Sequence, residues 1–326
     1  METNIPLPSR QLRLFAAAAA IFLATAMQLR ADAVSELASF SVFDKVDLAQ
    51  LATGDAKTVR GAPMTTPRFL SVQTCWVSPG TPAQVAEAMQ RLNPAEHPEL
   101  KVYLHVSGSN FSRLAQAPAN GAVQSLVTAT QNKSTDLQIS REEAAKIPAG
   151  APATMVGPIA NFWSALLTAR AAAGPFAQPP YDYTGQAIRA GDEINALLRQ
   201  QGKIQKQFNG LINGKGEQYW ELLDANNKGV LTLGTSYQRQ PGGGSYQLAD
   251  VLYYASGGYY ALITLHQLWP VEVDGKPATL VWRGDMISSA ELADLRGIER
   301  LGSESAMMKD VSKAVRLFRR DSGGGR

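Results

Sequence analysis

Apolar positions recur with two different periods along this chain, and the places where the period changes mark its parts. From Arg68 to Val77 they alternate, with Leu70, Val72 and Trp76 on one side and Phe69, Cys75 and Val77 on the other. That is the period of a strand. Ser78-Pro79-Gly80 then turns the chain, and Thr81 is placed to cap a helix whose first position is Pro82, where the missing N–H costs nothing. Val85, Ala88, Met89 and Leu92 follow at helical spacing until Asn93-Pro94. A second strand is predicted over Leu100 to Val106, with Val102, Leu104 and Val106 alternating with Lys101, Tyr103 and His105. Before this unit, Phe40 to Thr53 is short and mixed, and Lys57 to Pro67 reads as an extended approach or loop.

Residues 110 to 212 are rich in alanine, and the pattern there predicts helices. Candidates are Ala122 to Thr130, Arg141 to Lys146 with Ser140 and Glu143 as a capping box, Ile159 to Ala173, and Asp192 to Leu211. Prolines separate them, and several are short, so the region reads as a helical insertion between strands.

From Gln218 the alternating period returns. Strands are predicted over Tyr219 to Asp224, Val230 to Tyr237, Gln247 to Ala255, Tyr259 to Leu268 and Ala278 to Arg283. Short turn-forming connections join them, including Pro241 to Ser245, so they imply an antiparallel meander. Ser288 and Glu291 offer a capping box for a closing helix that runs to Phe318, with a kink or a restart at Gly297 and Gly302. The tail from residue 321 to Arg326 is expected to be disordered.

Seven strands, with a helix after the first and a long helix at the end, predict an α+β fold: a curved antiparallel sheet with the C-terminal helix packed on it. The segments Phe69 to Leu92 and Tyr219 to Phe318 carry a pattern that resembles the helix-grip, or START-like, architecture. That resemblance implies a cavity between the sheet and the last helix, and a lipid-like or otherwise apolar ligand within it. On this reading residues 34 to 320 are one domain.

Composition changes the picture mainly at the N-terminus. Arg10 and Arg13 precede an apolar run from Leu14 to Met27, and Ala31-Asp32-Ala33 fits a small-x-small cleavage site, so residues 1 to 33 read as a signal peptide. The expectation is an exported protein, periplasmic or secreted, with no transmembrane anchor after cleavage. Cys75 is the sole cysteine, which excludes an intramolecular disulfide. The formal charge is +3, and the signal carries one net positive charge, which leaves too little to predict nucleic-acid binding. Lys309, Lys313, Arg316, Arg319 and Arg320 cluster where cations complement the carbonyl end of the last helix.

Candidate chemistry is sparse. His266 shares a strand face with Leu262, Thr264 and Leu268, either as a hydrogen-bonded core histidine or as a polar contact in a cavity. Tyr254, Tyr260, Trp269 and Trp282 could join it around a small apolar ligand, although aromatic side chains in strands more often pack. No cofactor is implied. His97 and His105 lack a recurrent metal-ligand spacing and read as a surface loop, so no metal site is expected. Neither a nucleophile elbow, an S-x-x-K motif, a P-loop nor a dinucleotide glycine fingerprint occurs. The leading expectation is a non-enzymatic protein that binds a small apolar or amphipathic ligand. A hydrolase with a site around His266 is the alternative, and an envelope interaction or scaffold protein that docks through residues 110 to 212 is a third.

Overall fold

The computed structural model describes residues 32–150, 153–183, 185 and 187–323, so the proposed signal peptide falls almost wholly outside the described residues. Residues 32–40 form helix α1, and Leu48–Thr53 form α2, capped by the Asp47 side chain. Both dock on the sheet through Leu37, Phe40, Phe43, Leu48 and Leu51, which are all buried.

The architecture is α+β. Among the described residues, eight strands form one curved antiparallel sheet, where the sequence pattern predicts about seven. The additional strand is β1 (Lys57–Arg60), a four-residue edge strand within the stretch read from sequence as an extended approach or loop. Its mixed exposure gives no alternation to detect. The others are β2 (Phe69–Pro79), β3 (Val102–Ser107), β4 (Glu217–Ala225), β5 (Lys228–Gly242), β6 (Ser245–Ala255), β7 (Tyr259–Val273) and β8 (Lys276–Ser289). Their order in the sheet is β1-β2-β8-β7-β6-β5-β4-β3. β4 to β8 are the expected meander, and β2 pairs with β8 from Phe69↔Ser288 to Pro79↔Ala278. β3 lies at the opposite edge, on β4. The chain therefore crosses the sheet between β2 and β3 through α3 (Pro82–Arg91), whose cap is the expected Thr81 with a reciprocal contact from Gln84.

The two faces have different cover. Helices α4 (Gly121–Gln131), α5 (Arg141–Ala145), α6 (Pro158–Ala173), α7 (Ala190–Gln200) and α8 (Gly202–Gln207) join α1 and α2 on one face. This insertion face contains Phe69, Cys75 and Val77 of β2 together with Trp220, Leu231, Val251, Ile263, Leu265, Trp269, Leu280 and Trp282. The predicted helix from Asp192 to Leu211 is two helices that break at Gln201, which has a nonhelical backbone.

The other face receives α3 over β6 to β8, and α10 (Gly297–Asp321) over β1 and β2. Val85, Val311, Val315 and Phe318 close there on Leu70, Val72, Trp76, Leu248, Leu268 and Val281. The closing helix is indeed two pieces, the short α9 (Ala290–Ala293) and α10. Gly297 makes the break, at φ 51°, whereas Gly302 lies within α10. The predicted capping box does not form: the helix begins after Ser289 with no side-chain cap, and the Ser288 hydroxyl donates to Glu193 instead, at 2.6 Å. α10 extends to Asp321, and its end is not simply solvated. Arg319 is buried and donates to Gly54 O at 2.6 Å and Ala52 O at 3.1 Å, where it satisfies the open carbonyls that end α2.

Candidate functional site

The α10 face carries a band of polar side chains across strands that are otherwise apolar. Asp285, Thr264, Asp250 and Ser236 are successive Cα partners from β8 to β5, so period two puts all four on one face in one row. Arg283, two residues before Asp285, donates to it through Nε at 2.8 Å and Nη2 at 2.7 Å, and Thr264 donates to the same carboxylate at 2.8 Å. The Ser236 hydroxyl donates to Asp250. On β4 and β3, Glu221 accepts from His105 Nδ1 at 2.8 Å.

Tyr219 joins the two parts of the band. Its ring lies over Gly234, where a side chain of any size would collide with it, and 5.7 Å from the His105 ring. Burial raises the Tyr219 phenol well above its usual range, and the charges of Asp250 and Glu221 add to the effect. Burial also raises the Asp250 carboxyl, against the opposing effects of the Ser236 hydrogen bond and the Arg283 charge. Each carboxylate in the band therefore has a partner, yet several groups beside it have none. Among the described residues, Thr232 Oγ1 and His266 Nδ1 are buried without a hydrogen-bond partner. Both belong to this face: Thr232 is the Cα partner of Glu221, and His266 of Arg283.

Next to the band on the same face is an apolar row, Ile287, Leu262 and Leu252, which are successive Cα partners. Leu252 packs with Val230 and Ala255, and half-buried Leu223, Tyr259 and Leu262 border them. Leu223, Leu262, Ile287, Tyr219, Glu221, Ser236, Asp250 and Arg283 all keep part of their surface exposed, so neither helix seals this region.

The five aromatic and histidine candidates do not converge. His266 is on the α10 face, as its period with Leu262, Thr264 and Leu268 predicts, but its buried Nδ1 has no hydrogen-bond partner among the described residues. Burial and the Arg283 charge push its pKa down to about 3, so the ring is neutral at physiological pH. The Trp76 ring stands edge-on to it at 6.4 Å. Trp269 and Trp282 are buried on the insertion face around Phe40, and their indoles donate to Glu36 and Gln73. Tyr254 is fully buried there, 4.4 Å below the Arg170 guanidinium. Tyr260 stacks on Tyr181 at 6.1 Å and lines a pocket of about 340 Å³ with Tyr183, Ile139, Asp136 and Lys228.

Bulges explain the split. Period two alone would put Tyr254 with Asp250 and Leu252, and Tyr260 with Leu262 and Thr264. Register shifts at Leu233/Gly234 and Tyr259/Ala261 turn both tyrosines to the insertion face. The two other histidines are not surface-loop residues. His105 is on β3, and His97 is buried against the end of α10, with Nε2 at 2.9 Å from Asp321. Among the described residues, no group of three or more His, Cys, Asp or Glu side chains could hold a metal ion.

No family model and no curated protein matches this chain. Sequence reasoning missed Tyr219, Glu221, Asp250, Arg283 and Asp285. Their only signal is the appearance of Asp250 and Asp285 as isolated acids in otherwise apolar strands, positions where an unpaired charge would be costly.

Proposed function

We propose that this protein binds a small amphipathic molecule on the α10 face of its sheet, between α3 and α10, and does so without catalysing a reaction. The observation that carries the reading is the adjacency of two rows on one partly open face: Asp285-Thr264-Asp250-Ser236 is polar, and Ile287-Leu262-Leu252 is apolar. Binding sites commonly combine apolar lining with a few fixed polar groups that orient the ligand. Titrating groups displaced from their usual range, here Asp250, Tyr219 and His266, are also concentrated at such sites.

The helix-grip resemblance agrees with this reading. The pairing of β2 with β8 and the position of α10 on the sheet support it. A hydrolase around His266 has less support, because a general base needs an orienting partner and His266 Nδ1 has none. A docking surface on residues 110 to 212 has little apolar material to offer. Among the described residues there, Val156 and Phe176 are the exposed large hydrophobic side chains. Export belongs to the proposal, on the strength of Arg10, Arg13 and the apolar run that follows. No helix among the described residues is long and apolar enough to cross a membrane.

The test is native mass spectrometry of the purified protein, followed by solvent extraction, beside a Leu262→Trp variant that fills the apolar row. A defined adduct on the wild-type protein that is absent from a folded variant supports the reading. A wild-type protein that carries no adduct, and that shows no saturable binding of medium-chain amphiphiles by calorimetry, overturns it.

A further inference from the structure

We infer that the polar band selects a ligand headgroup that donates hydrogen bonds and carries no negative charge, an amine or a hydroxyl, and that it rejects carboxylates and phosphates. The inference rests on the proposed binding site and specifies its ligand. The band contains three carboxylates, those of Glu221, Asp250 and Asp285, and one arginine, Arg283. Arg283 is committed to Asp285 through two nitrogens, so it is poorly placed to offer an anion the two-pronged contact that arginine makes best. Asp250 and Glu221 share this face, and among the described residues their hydrogen bonds come from the Ser236 hydroxyl and from His105, not from an arginine or lysine.

Asp250 lies within the band, between Thr264 and Ser236. Its carboxylate is partly desolvated and, among the described residues, has only the Ser236 hydroxyl as a hydrogen-bond donor. An ammonium or hydroxyl group placed beside it would supply a further donor to a charge that lacks one. An incoming carboxylate would meet a like charge in a partly desolvated site, where repulsion is strongest. The second observation is independent of the acids. Among the described residues Thr232 Oγ1 and His266 Nδ1 are unpartnered, and both residues are more than nine-tenths buried, on the same face as the band. A hydroxyl headgroup or an ammonium can donate to Asp250, and the hydroxyl can accept as well. The adjoining apolar row then receives the aliphatic part of the same molecule.

The experiment is isothermal titration calorimetry at neutral pH with three ligands that share one chain: decylamine, decanol and decanoate. Wild-type protein is compared with Asp250→Asn, which keeps the size and the Ser236 contact, and with Glu221→Gln. Thermal melts establish that each variant is folded. Decylamine or decanol binding at least about tenfold more tightly than decanoate is the expected result. Asp250→Asn should reduce that preference to about threefold or less, through a gain in decanoate affinity. Which of the two favoured probes binds more tightly distinguishes an amine from an alcohol. Decanoate binding as tightly as the others, or a preference unchanged in both variants, overturns the inference and leaves the amphiphile site standing. If none of the three binds, the site itself fails.

Discussion

Tyr219 lies flat across Gly234: a Cβ on residue 234 would come within 2.2 Å of the tyrosine Cζ and 2.4 Å of its hydroxyl oxygen. The two are Cα partners on β4 and β5. A glycine inside a strand packs nothing of its own, and here the space it leaves is filled by a neighbour's ring, which it holds beside Asp250.

Gly234→Ala should therefore act through Tyr219. The added methyl group forces the ring off the sheet, at a cost of about 1–3 kcal/mol in stability. Urea unfolding measures the loss, and the double variant with Tyr219→Ala should recover most of it. A loss that persists in the double variant would mean that the strand, and not the ring, requires glycine.

The fold was legible in the sequence to the extent that local pattern determines it. Leu70, Val72 and Trp76 alternate with Phe69, Cys75 and Val77, and they occupy opposite faces because a pleated strand has no other arrangement. Thr81 caps α3 because its partner Gln84 is three residues away. The Ser288 cap failed because its hydroxyl went to Glu193, 95 residues distant, and no local pattern registers that competition. The site was hidden for the same reason. His105 meets Glu221 across 116 positions, and bulges redirect Tyr254 and Tyr260 by one residue each. Sequence period assigns faces within a strand, but tertiary pairing decides which faces are shared.

A second prediction concerns the insertion face. Arg170 is fully buried and donates to both oxygens of Glu143, at 2.8 Å and 2.6 Å, while Glu143 also accepts from Ser140 N to complete the cap of α5. Glu143→Ala removes the side-chain half of that cap, leaving the Glu143 N to Ser140 Oγ bond, and strands a buried guanidinium without its counter-ion. The expected loss is about 3–5 kcal/mol. Arg170→Met should be milder, since the carboxylate left behind still accepts a hydrogen bond from Ser140 N. Chemical denaturation of the two variants checks the order; an equal or larger loss for Arg170→Met contradicts it.

Cys75 is fully buried on the insertion face, and burial pushes its thiol up to about 12. The thiolate is the reactive form, so the native protein should not be modified by a thiol reagent at neutral pH. Full reactivity should appear together with global unfolding in denaturant. Stoichiometric labelling of the native protein within minutes would show that β2 opens locally.

The last prediction is a pH dependence. His266 has its pKa lowered from 6.5 to about 3, with burial as the leading cause and the Arg283 charge as the second. Between these two values the unfolded chain binds a proton at His266 that the folded protein refuses. Stability therefore falls as pH drops through that window and is not affected by this group above it. Each unit of pH inside the window costs about 1.4 kcal/mol from His266 alone. Asp250 acts in the opposite sense at the acid end, because its folded-state pKa is raised, so the comparison must be made against a variant. His266→Leu removes the imidazole and keeps an apolar side chain beside Trp76 and Leu248. Urea midpoints measured from neutral pH downward should fall more steeply for the wild-type protein than for the variant. Parallel curves would mean that His266 acquires its proton without opening the sheet.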